Sequence, residues 1–102
     1  MKQNKPVFHI LFSKEENGYT GICLELNVAS EGDTLEEARK NIREAVGLYL
    51  ESVYQKGDEE ESIPRPAPME YWLKYLSLQE RKLREALREN PEPELEFEEA
   101  VA

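Results

Sequence analysis

His9 is the chain's one histidine and Cys23 its one cysteine, so imidazole or thiol chemistry would have to start from these two. His9 lies inside the apolar run 7–13 with no second metal-type ligand at a useful spacing. A packed or hydrogen-bonded histidine is expected there, not a zinc ligand. Cys23 sits mid-strand with no neighbouring histidine or cation to stabilise a thiolate, and reads as a small buried hydrophobe. Carboxylates are plentiful, at Glu15 and Glu16, over 58–61 and over 94–99, but these stretches read as turn, linker and tail. Such runs are solvated, not positioned for acid–base work. The five glycines are scattered and form no phosphate-cradling loop. The expected protein is not an enzyme and has no cofactor and no metal.

The elements that would carry these residues begin with a hairpin. Residues 7–13 alternate as a strand, with Phe8, Ile10 and Phe12 on one face and Val7, His9 and Leu11 on the other. Asn17-Gly18 is a strong hairpin-turn signal. The return strand 19–26 sets Tyr19, Gly21, Cys23 and Glu25 against Thr20, Ile22, Leu24 and Leu26. Asn27 permits a second tight turn into a short third strand at 28–30. Thr34 followed by Glu37 is a capping box that opens a long helix. Leu35, Ala38, Ile42, Ala45, Val46, Tyr49, Leu50 and Val53 make its apolar stripe. Lys56-Gly57 supplies the cation and the glycine of a C-terminal stop. Leu35, Ile42, Val46 and Tyr49, with Phe8 or Ile10, are the expected core. The first strand is apolar on both faces, whereas the long helix covers one. A second helix, a dimer or a partner must cover the other.

Residues 58–62 read as a solvated acidic linker, and the three alternate prolines in 63–68 as a stiff extended spacer, with a proline-motif ligand as the sharper alternative. Residues 69–90 form a second helical region, with Trp72, Leu76, Leu83 and Leu87 near one stripe. Ser77 with Glu80 is a second capping box, which predicts a break near Leu76. Lys74, Arg81, Lys82, Arg84 and Arg88 offer a route to phosphate contact. Their spacing to Glu80 and Glu85 fits an ordinary solvated helix face better. Strict alternation after residue 94, with Leu95 and Phe97 on one side, predicts a terminal edge strand over 94–101; an acidic disordered tail is the alternative.

A chain of 102 residues is sized for a single domain, here 1–102. Its net charge of -9 is uneven: residues 1–56 carry 7 basic and 9 acidic side chains, and residues 57–102 carry 6 and 13. That field opposes binding to phosphate backbones and favours a basic protein partner. With one cysteine there is no internal disulfide framework, and a cytoplasmic setting is expected. No apolar run is long enough to span a membrane, and no signal-peptide core follows the N-terminus.

The order Asn17-Gly18-Tyr19-Thr20-Gly21-Ile22-Cys23-Leu24-Glu25-Leu26, then Ala29-Ser30-Glu31-Gly32-Asp33-Thr34-Leu35-Glu36-Glu37-Ala38, then Ile42-Arg43-Glu44-Ala45 and Tyr49-Leu50-Glu51, closely resembles the HicB-like antitoxin family. Ile63-Pro64 and Pro66 after the acidic linker also fit that pattern. The resemblance spans residues 7 to about 57. It implies a β-β-β-α-β domain like a partial ribonuclease H fold, without that fold's catalytic carboxylates. Many members have a Pro-Gly-Cys between the second and third strands; here Asn27-Val28-Ala29 replaces it, and the connection is one residue shorter. Several members end in a DNA-binding domain, whereas this chain has the 69–90 helical region before its last predicted strand. Operator binding is therefore not implied.

The expected fold is α+β, in the order β-β-β-α-(α)-β, with an antiparallel sheet packed on one long helix. Its parts are a 7–57 core, a 58–68 linker, a 69–90 helical insertion and a 94–101 strand. The function implied by the resemblance is to bind and silence a small basic ribonuclease toxin of the HicA type. A stand-alone oligomeric scaffold or regulatory module is the second expectation, and nucleic-acid binding through the second helix a weaker third. A homodimer or higher homo-oligomer is expected, with no membrane partner. The candidate interface residues are Val7, His9, Leu11, Tyr71, Trp72, Tyr75, Leu95 and Phe97.

Overall fold

The structure, a computed structural model, describes residues 5–90, 92, 94–97 and 99–101. Its elements are β1 (Ile10–Glu15), β2 (Gly18–Cys23), β3 (Val28–Gly32), α1 (Leu35–Lys56), the short α2 (Glu59–Ser62) and α3 (Met69–Glu89). The fold is α+β, a three-stranded antiparallel sheet in the order β1-β2-β3 followed by helices. Glu16 and Asn17 form the first tight turn, and Asn27, in the left-handed region at φ 53°, helps turn the chain between β2 and β3.

Register follows from the alternation. Ile10 lies opposite Cys23 and Phe12 opposite Gly21, and Cys23 in turn opposite Val28. These residues, with Phe8, share the face that α1 covers through Ile42, Val46, Tyr49 and Leu50. The alternation holds only while the strand does. β2 ends at Cys23, so Leu26, expected on the side of Ile22, turns back into the α1-facing core instead.

α1 begins and ends as its capping residues dictate. The Glu37 amide donates to Thr34 Oγ1 at 3.1 Å, and the Asp33 amide donates to the Glu37 carboxylate at 3.0 Å. At the other end Gly57 adopts φ 70°, a left-handed cap that costs glycine little. Asn41 ties the helix to β3 by donating to the Glu31 carbonyl at 2.8 Å. Leu35, expected in the core, is 36% exposed. It opens the first turn, and helical side chains cover the turn N-terminal to their own Cα, which here does not exist.

Gly32 is where β3 passes under that first turn. A Cβ added there would stand 2.4 Å from the Ala38 backbone nitrogen, an atom that cannot swing aside. Gly32→Ala is expected to destabilise the fold by about 1–3 kcal/mol in denaturant melts. Unchanged stability would mean that α1 does not approach β3 this closely.

The second face of the sheet is covered from within the chain around Leu11, Ile22 and Leu24, while Ala29 and Glu31 on that face stay exposed. The proline segment after α2 crosses the sheet's end, with the Arg65 amide donating to the Glu25 carbonyl and the Ala67 amide to the Leu24 carbonyl. Arg65 also caps the Leu26 carbonyl and lies 5.0 Å over the Tyr49 ring, whose hydroxyl donates to the Ser62 carbonyl. The expected spacer is thus a docked strap. It delivers Tyr71, Trp72 and Tyr75, in the first two turns of α3, onto Leu11, Leu24, Ala67 and Ile22.

Three further expectations fail. α3 is continuous through Ser77, where a break was predicted, because amides inside a helix already have carbonyl partners four residues back and need no cap. The acidic linker likewise contains a turn of helix, α2. The terminal strand over 94–101 is not formed by residues 94–97 and 99–101; residue 98 lies outside the described residues. Leu95 and Phe97 are exposed, so the alternating face buries nothing, while Glu94, Glu96 and Glu99 oppose close pairing.

Candidate partner-binding surface

His9 precedes β1 and continues its ladder, accepting from the Leu24 amide at 2.9 Å. Its own amide donates to Glu25 Oε1 at 2.7 Å, and its Nδ1 lies 2.6 Å from Glu25 Oε2. The ring meets Tyr75 edge-on at 5.4 Å between centroids. One carboxylate therefore fixes both the backbone and the ring of His9, and that ring supports α3. Cys23 belongs to the opposite, α1-facing core and is fully buried. Burial pushes its thiol pKa up, with backbone hydrogen bonds from Leu26 and Glu25 opposing part of the shift. The thiolate is thereby disfavoured, and the histidine and the cysteine do not face each other. Among the described residues, no group of three or more histidine, cysteine or carboxylate side chains is arranged to hold a metal ion.

The expected interface residues are separated by the fold. Leu11 is buried inside the chain, and Tyr71, Trp72 and Tyr75 are half-buried against it and Leu24. His9 is half-buried beside them, whereas Val7, Leu95 and Phe97 are exposed. Of the face inferred from Val7, His9 and Leu11, α3 buries Leu11 and packs on His9 through Tyr75, and Val7 stays exposed.

Two other surfaces stand open. Around the hairpin end, Glu15, Glu16, Glu31, Asp33 and Glu37 line one concavity together with Asn17, Tyr19 and Asn41. The hairpin turn brings the first pair there, β3 brings Glu31, and the capped start of α1 brings Asp33 and Glu37. Sequence spacing gave Glu15 and Glu16 as a solvated turn but could not show that β3 returns to the same end. The other surface is the outer side of α3, where Met69, Leu73, Leu76, Leu83 and Leu87 are exposed, with Leu73 at the rim of a groove between α3 and Leu11, Phe12 and Ser13. The predicted stripe included Leu76, Leu83 and Leu87 but placed Trp72 with them, whereas Trp72 packs toward the sheet.

No helix among the described residues is long and apolar enough to cross a membrane. In sequence the chain is 41% identical over 64 residues to UPF0150 protein ssr1765 of Synechocystis sp., an alignment covering 58% of this chain and 81% of that protein. It is 38% identical over 52 residues to UPF0150 protein ssr1258 of the same organism, covering 49% of this chain and 75% of that protein. No family model matches the chain, and no solved structure matches it.

Proposed function

Because this chain belongs to the UPF0150 family, we propose that it is a non-catalytic binding domain of the HicB-like antitoxin kind, which covers and silences a small basic ribonuclease. The observation that carries this reading is the placement of charge. The chain has a net charge of -9, and five of its carboxylates converge on the concavity at the hairpin end. Complementary fields steer a basic partner to such a surface and suppress nucleic acid as a competitor. The stretch that resembles HicB-like antitoxins is also the stretch that folds as hairpin, third strand and capped helix.

The test starts from the full chain, recovered from its native lysate with its complex mass read by light scattering. A small basic ribonuclease in fixed ratio is expected, held less tightly as salt is raised, since exposed charge pairs are screened. Recovery of the chain with no such protein would overturn the proposal. So would a partner whose retention ignores salt.

A further inference from the structure

Met69, Leu73, Leu76, Leu83 and Leu87 are exposed on α3. Their spacings, with Glu80 filling the gap between Leu76 and Leu83, alternate regularly between four and three residues. Apolar residues at that alternation form the seam of a coiled coil. At 3.6 residues per turn the seam lies on the order of 140° around the helix from Tyr71 and Tyr75 and about 60° from Trp72, the three residues that hold α3 to the sheet. The same helix therefore has one face packed on its own chain and one apolar face left exposed. The radius of gyration is 16.3 Å, against about 13 Å for a compact chain of this length. The seam's leucines and Met69 are exposed in the single chain.

We propose that α3 pairs with α3 of a second copy of this chain, as an antiparallel two-helix coil related by a two-fold axis near Leu78. The seam is self-complementary in that direction. Leu73 meets the second copy's Leu83, Met69 meets its Leu87, and Leu76 meets its Glu80, each contact occurring twice, as an isologous interface requires. A parallel pair would instead set Glu80 against Glu80 inside the seam, a desolvated like-charge contact. In the antiparallel pair Glu80 keeps the ion pair it makes with Arg84 in its own helix. Beside the seam, Glu70 faces the second copy's Arg84, again twice, and a guanidinium with five donors can serve both carboxylates. The pairing uses neither the concavity at the hairpin end nor the outer face of α1, so a toxin and a second copy would occupy different surfaces.

The full chain should sediment and scatter at twice its 11.9 kDa mass at tens of micromolar. The double variant Leu76→Lys with Leu83→Lys should halve that mass while leaving the far-ultraviolet circular dichroism unchanged, since both leucines are exposed in a single copy. Direction is read by mixing Met69→Cys copies with Leu87→Cys copies under mild oxidation. A mixed disulfide dimer should form in preference to either homodimer. A wild-type chain of single mass overturns the pairing, as does a dimer that survives the lysine variant. Homodimeric disulfides at position 69 overturn the antiparallel direction. A chain that is monomeric alone and engages only a basic ribonuclease through this seam overturns the proposal while leaving the toxin reading intact.

Discussion

Ile42→Ala should lower the unfolding free energy by about 2–5 kcal/mol, read from urea or guanidinium melts. Ile42 is fully buried, in one cluster with Cys23, Leu26 and Val46. Its position under the sheet explains the size of the effect. The point where a Gly21 Cβ would stand lies 3.5 Å from Ile42 Cβ and 3.0 Å from the Phe12 ring. Backbone and aromatic ring thus press on the isoleucine from the sheet side. A cavity left there is bounded by β2 on one side and by the α1 backbone on the other, neither of which can collapse far. A loss below about 1 kcal/mol would place Ile42 outside a packed core.

Leu24→Ala should cost a similar about 2–5 kcal/mol, on the other side of the sheet. Leu24 is fully buried with Leu11 and Ala67, under Ile22, Tyr71, Trp72 and Tyr75. Three of those four covering side chains come from α3, which follows Leu24 by more than forty residues of chain. The substitution therefore measures whether the strap and α3 dock in the same chain. If α3 stood away from the sheet, Leu24 would already be partly wet and its truncation nearly neutral. A Trp72 emission maximum shifted to the blue in the wild type, and less so in the variant, would report the same packing. A large loss at Ile42 with none at Leu24 would leave a one-faced sheet and refute the second layer.

Much of this arrangement could be read from the residues because the signals are local. The Thr34–Glu37 box and Gly57 mark the two ends of α1 through hydrogen bonds made within a few residues. The apolar alternation of the first strand correctly demanded two covers, and α1 and α3 supply them. What failed depended on context that alternation does not carry. Leu26 changed sides because β2 stops at Cys23, and Ser77 carries a capping pattern that a continuous helix does not use. Leu95 and Phe97 alternate as a strand should, yet a strand forms only where a ladder and an apolar layer receive it. The docked strap was invisible for the same reason: its hydrogen bonds to Leu24, Glu25 and Leu26 span about forty residues.

The candidate surface was less legible than the fold. Tyr71, Trp72 and Tyr75 look like interface aromatics in sequence, but they serve the chain's own second core layer. The spacing of Met69, Leu73, Leu76, Leu83 and Leu87 was present throughout; only the placement of Trp72 against the sheet separates that seam from the inward face. His9 was correctly expected to be hydrogen-bonded, and its partner Glu25 lies just beyond the end of β2, where strand pairing no longer predicts neighbours.

The proposed function is that this acidic chain silences a basic ribonuclease by covering it. Its most direct test is to titrate the purified full chain into that ribonuclease while following cleavage of an RNA substrate. Cleavage should fall in proportion to added chain and stop at a fixed molar ratio, with the inhibition weakening as salt is raised. Cleavage that continues unchanged in excess chain would contradict the claim.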